Sequence, residues 1–259
     1  MKSKIFGLFL LFFSVSSFSW WSMWFFSDST HYKMTTNSRG LLTADYPDVK
    51  TKFGGDISNW TSGPDDDKAA HGEDSSLNGG PVARWQDNAL ELYKSGNLSS
   101  AYYYTALLTH LVEDQAVPAH ASEISHGSWG WMDNMEQLAY WNYNYLPAPT
   151  EIIYGAKPTD SYYAMKFYTL DALQNNPWTT NYWIPGIAGI ENTGAYAGLN
   201  GTDVFPTTWG GAGENERGLM LQLLTAGIGH AAGGLISASK MLPPSGANPP
   251  QIIRAHNQQ

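Results

Sequence analysis

Apolar residues group along this chain with helical spacing, after one largely apolar run at the start. That run covers Ile5 to Phe18. Residues 84–94 place Trp85, Ala89, Leu90 and Tyr93 so as to predict a short helix, ended at Gly96. Residues 98–116 predict a longer one, with Leu107, Leu108, Leu111 and Val112 as its apolar stripe and Pro118 as its stop. Further helices are expected over 132–144, 160–174 and 214–240. The last of these is rich in Gly and Ala, which permits close helix packing although each Gly costs stability. Strand-like alternation is weak, and no repeat of the solenoid kind is visible. Segment 27–83 is polar, and residues 61–81 within it read as loop. The tail, 243–259, reads as disordered. The expected fold is all-α, a single-domain helical bundle over residues 20–242.

The N-terminal run changes the picture of where the chain works. Lys2 and Lys4 precede the apolar stretch, and Ser17 and Ser19 put small residues at the two positions a signal peptidase reads. Residues 1–19 are therefore read as a secretory signal peptide, cleaved after Ser19, with a secreted or periplasmic product. An uncleaved anchor running on into WWSMWFF is the alternative. No other stretch is expected to be long and apolar enough to span a bilayer. Removing residues 1–19 takes away two lysines and no acid, so the formal charge moves from −9 to −11. An acidic chain of this kind is not expected to bind duplex DNA through its phosphates. A nuclease is not excluded, because bound metal can supply positive charge locally. The chain has no cysteine, which rules out a thiolate ligand or nucleophile.

The candidate chemistry lies in HLVEDQAVPAH, residues 110–120. His110 and Asp114 stand one helical turn apart and share a face. His120 follows the Pro118 break, where the chain can turn back toward them. Further on come His126, then Asp133 and Glu136 three residues apart. A cluster of imidazole nitrogen and carboxylate oxygen suits zinc. A lone His or Asp is usually just a satisfied polar residue; several at ligand spacing favour a metal site. By the same reasoning, His230 in the Gly/Ala helix reads as packed or capped, His256 has no role, and Asp65, Asp66 and Asp67 read as a solvated loop.

The stretch HLVEDQAVPAHA resembles the signature of the bacterial zinc-dependent phospholipases C and the related S1/P1 nucleases. That signature runs His, three residues, Asp, three residues, Pro, one residue, His, then Pro or Ala. His110, Asp114, Pro118, His120 and Ala121 fill it. Leu111 and Glu123 stand where an aromatic residue and an asparagine are usual. The resemblance implies a mostly helical fold with three zinc ions. One ion would take His71, His110 and Asp114. A second would take His120, Glu136 and either His126 or Asp133. A third would take the amino and carbonyl groups of Trp20, exposed by cleavage, with His31 and a bridging Asp114. Asp56 would be a ligand or the general base. The usual His four residues before the motif's final acid is Met132 here, a poor ligand in a hard site.

What the resemblance implies is hydrolysis of a phosphodiester by a zinc-activated water. The substrate is a phospholipid or a single-stranded nucleic acid. The aromatic residues, 14% of the chain with 11 Trp and 15 Tyr, suit peripheral contact with a membrane, a choline cage, base stacking or plain core packing. The form of the signature, the lack of cysteine and the lack of a basic aromatic groove favour phospholipase C. The single-strand nuclease is the alternative. A catalytically impaired zinc-binding surface module is the reading from another class, because of Met132.

Overall fold

A computed structural model describes residues 30–54, 56–61, 81–121, 139, 143–146, 151–153, 155–175 and 214–242. Among them the chain is mostly helical and has no strand, as the apolar spacing predicts. The helices are α1 (Thr30–Asp45), α2 (Pro47–Lys52), α3 (Asp56–Trp60), α4 (Pro81–Lys94), α5 (Leu98–Asp114), α6 (Pro118–Ala121), α7 (Pro158–Asn175) and α8 (Glu214–Met241). A 3-10 turn covers Tyr143–Tyr145. Residues 1–19 and 243–259 lie outside the described residues, as does most of the helix expected over 132–144.

The α4–α5 corner shows how local sequence sets the frame. Gly96 has φ +83°, a left-handed conformation that costs glycine little. Its N–H reaches Tyr93 O at 3.0 Å, and the N–H of Asn97 reaches Leu92 O at 2.9 Å. That pair of bonds closes α4 as a Schellman motif. Asn97 then caps α5, its side chain accepting from Ser100 N at 3.3 Å. At the other end, the N–H groups of Ala116 and Val117 fold back on Glu113 O and Asp114 O, and Pro118 opens α6. So α5 stops at Asp114, two residues short of the expected 116.

α5 is the central element, packed against α3, α4, α7 and α8, with α1 laid across α5 and α8. The expected stripe of Leu107, Leu108, Leu111 and Val112 is buried in the main core beside Met34, Met165, Leu223 and Ile228. The small residues of α8 do permit close approach. A Cβ on Gly227 would meet Met34 Cε at 2.8 Å and Ala116 Cβ at 3.1 Å; one on Gly229 would run into the carbonyl oxygen of Glu151.

Two expectations are corrected. No helix is assigned from sequence within the polar segment 27–83, where only 61–81 reads as loop, yet residues 30–45, 47–52 and 56–60 form α1, α2 and α3. The face α1 buries includes Thr30, His31, Thr35 and Ser38, so its inward positions do not stand out as apolar. Second, a stretch beyond the N-terminus is long and apolar enough to cross a membrane: Arg217–Met241, mean hydropathy 1.5. Most of its apolar window, 78%, is buried inside the bundle, and a core helix passes the same test of length and composition.

Candidate metal centre

Four segments converge below the end of α5. α1 brings His31 from its first turn and Thr35 one turn later. The C-terminal turn of α5 brings His110, Glu113 and Asp114. α6 brings His120, and the turn after α3 brings Thr61. His31, His110, Glu113 and Asp114 have no solvent-exposed surface, while His120 is 11% exposed.

His31, His110 and Asp114 each offer a donor atom, all within 4.8 Å of one another, and together could hold a metal ion. The Asp114 carboxylate is shared between the rings. Its Oδ1 lies 3.3 Å from His31 Nε2 and 4.0 Å from His120 Nε2, while its Oδ2 lies 3.2 Å from His110 Nε2. Neighbouring donors of a tetrahedral zinc ion with bonds of about 2.0–2.2 Å are roughly 3.4 Å apart. The two short spacings fit that edge. The rings of His31 and His110 stack, centroids 3.9 Å apart.

Both rings are held from behind. His110 Nδ1 is 2.6 Å from Thr61 O. A carbonyl only accepts, so this nitrogen carries the hydrogen, and in the neutral ring Nε2 presents a lone pair. His31 Nδ1 is 2.8 Å from Glu113 Oε2. The other oxygen, Glu113 Oε1, is 2.7 Å from Thr35 Oγ1, which is 3.1 Å from Thr61 Oγ1, itself donating to Ser58 O at 2.9 Å. The Thr35 hydroxyl thus faces two acceptors, Glu113 Oε1 and Thr61 Oγ1, while Thr61 donates onward to Ser58 O.

Burial pushes the Glu113 carboxyl well above the usual carboxylate range; the Asp114 charge adds to this and the Thr35 hydrogen bond opposes it. Burial also works against ionised Asp114, but the charges of His110 and His120 and hydrogen bonds from His110 and His31 outweigh it. They hold Asp114 well below its usual range. Two adjacent carboxyls thus differ in role. Asp114 is an anionic donor shared by the histidines, and Glu113 is a hydrogen-bonding support. Tyr143, buried and hydrogen-bonded by Asn37 at 2.9 Å, is pushed strongly up by burial and by the Glu113 charge.

Of the residues expected at the site, the structure brings together His31, His110, Asp114 and His120. Asp56 opens α3, one turn before the Thr61 corner; its side chain lies outside the description. Trp20, His71, His126, Asp133 and Glu136 lie outside the described residues. The sequence reading missed Glu113, Thr35 and Thr61. One signal was available for Glu113: a carboxylate in a helix turn that is otherwise apolar or ligand-bearing. None existed for Thr61, which acts through its backbone. His230 is buried, as read, but neither ring nitrogen has a hydrogen-bond partner among the described residues. It is packed, not capped.

No family model, no curated protein and no solved structure matches the chain.

Proposed function

We propose that this chain is an exported zinc-dependent phosphodiester hydrolase, with phospholipid as its preferred substrate. The observation that carries the reading is the placement of Asp114. It is a fully buried carboxylate with one oxygen on His31 and the other on His110. A buried carboxylate set between imidazoles is costly as a structural element, because taking the charged groups out of water carries a large desolvation penalty. It suits a site whose net charge is completed by cations.

The residues that would hold zinc are His31, His110 and Asp114, with His120 beside them. Bound zinc supplies Lewis acidity and lowers the pKa of water toward about 7. The protein's part is to present unprotonated Nε2 atoms, with Thr61 O and Glu113 fixing Nδ1 of each ring. Asp114 offers two oxygens to two directions at once, as a bridging ligand does. His31, His110 and Asp114 are buried without exposed surface. The likeness of HLVEDQAVPAHA to the phospholipase C signature supports a phosphodiester as substrate and a lipid ahead of a nucleic acid.

The test is a paired hydrolysis assay. Zinc-loaded protein starting at Trp20 is given phosphatidylcholine vesicles and single-stranded DNA, each with and without a chelator. Chelator-sensitive release of phosphocholine is expected. Release of nucleotides alone would move the chain to the nuclease branch. Turnover of neither, with zinc bound, would favour a zinc-binding surface module.

A further inference from the structure

We infer that Glu113 is a positioning residue of the metal centre, which sets the tautomer and orientation of His31; this rests on the reading of the centre as a metal site. The two buried histidines are anchored by unlike means. His110 Nδ1 is bonded to a backbone carbonyl, Thr61 O, which no side-chain substitution removes. His31 Nδ1 is bonded to the Glu113 side chain at 2.8 Å. Glu113 is itself fixed by Thr35 at 2.7 Å, from the same helix as His31 and one turn along. Glu113 and Thr35 therefore form a clamp between α1 and α5 that closes behind the ring and faces its Nε2 toward Asp114 Oδ1.

Glu113 is not itself a donor to the site. Its two oxygens are taken by His31 and Thr35, on the side of the ring away from Asp114. Burial without any exposed surface leaves water unable to replace it. Deleting the carboxyl would let His31 carry its hydrogen on either nitrogen and would free the ring to turn. With the hydrogen on Nε2, the ring cannot serve as a ligand there. An amide at this position could keep the arrangement, because its oxygen can accept from Nδ1 while its NH2 donates to Thr35.

The experiment compares wild type, Glu113→Ala, Glu113→Gln and Thr35→Val, each confirmed as helical by circular dichroism. Zinc affinity is measured by competition with a chromophoric chelator. Nitrogen-15 NMR of the histidine rings in metal-free protein reads which nitrogen of His31 carries the hydrogen. Glu113→Ala is expected to lose about 10–100-fold in zinc affinity, the usual effect of removing a ligand's hydrogen-bonding partner. It should also lose the hydrogen-bonded Nδ1–H signal of His31 while His110 keeps its own. Glu113→Gln should restore both, and Thr35→Val should fall between. Unchanged His31 tautomer and unchanged zinc affinity in Glu113→Ala would overturn the inference, even if the variant melts earlier. Wild type that binds no zinc would instead remove the metal reading, and the metal-free NMR comparison would still decide whether Glu113 holds His31.

Discussion

His230 gives a quantitative prediction that is independent of any metal. The ring sits in α8 with 2% of its surface exposed, and Tyr168 is its aromatic neighbour at 6.1 Å. Neither nitrogen is hydrogen-bonded among the described residues. Burial lowers its pKa from 6.5 to about 4. The folded chain therefore resists protonating this ring, while the unfolded chain protonates it normally. The associated stability is complete above pH 6.5 and is lost progressively as the pH falls toward 4. At 1.36 kcal/mol per pH unit, the gap corresponds to on the order of 3 kcal/mol. That is a large share of the roughly 5–15 kcal/mol that holds a domain together. The assay is urea unfolding of wild type and His230→Met between pH 7 and 4, with chelator present so that metal binding does not contribute. Carboxylates such as Asp114 also titrate in this range, so the quantity to read is the difference between the two proteins at each pH. The variant should equal or exceed wild type at pH 7, since it removes two buried polar atoms without partners. Its advantage should then grow by about 3 kcal/mol on the way to pH 4. Parallel curves would refute the reasoning and show that the ring is solvated or paired.

The other predictions concern the centre and its scaffold. Asp114→Asn should keep the helices but abolish zinc-induced stabilisation, because the shared anionic donor between His31 and His110 is lost; an unchanged rise in Tm with added zinc would contradict this. Gly229→Ala places a Cβ against the backbone oxygen of Glu151. The displacement should cost about 1–3 kcal/mol, more than the roughly 1 kcal/mol that alanine contributes as a helix former, and thermal melting reads the balance. Protein with one extra residue ahead of Trp20 should lose most hydrolytic activity if the terminal amine of Trp20 is a ligand; full activity would end that assignment.

The parts legible in the sequence are those where one kind of side chain dominates a helix face. α4 and α5 were visible because Trp85, Ala89 and Tyr93 in one, and Leu107, Leu108, Leu111 and Val112 in the other, recur at helical spacing. The pair His110 and Asp114 was visible because four residues make about one turn. α1 was not visible, since its buried side mixes Met34 and Leu42 with His31, Thr35 and Ser38, and the site is what makes those polar residues inward-facing. The clamp could not be read either. His31 and Glu113 are 82 residues apart, and Thr61 and His110 are 49 apart. Spacing rules reach only one or two turns, and contacts across such separations are decided by how helices dock.

Those separations also impose an order on how the centre comes into being. The His110–Asp114 pair exists as soon as the last turn of α5 forms. His31 joins only when α1 docks across α5 and α8, closing a loop of about 80 residues against its entropy. The four-segment site is thus a sensor of tertiary closure: half of it is a property of one helix, and the other half exists only in the assembled bundle. A transient lifting of α1 would disconnect His31 while leaving α5 and its pair intact. Ions held on both sides of that seam would act as a bolt, slowing the departure of α1 and coupling retention of metal to the persistence of the fold.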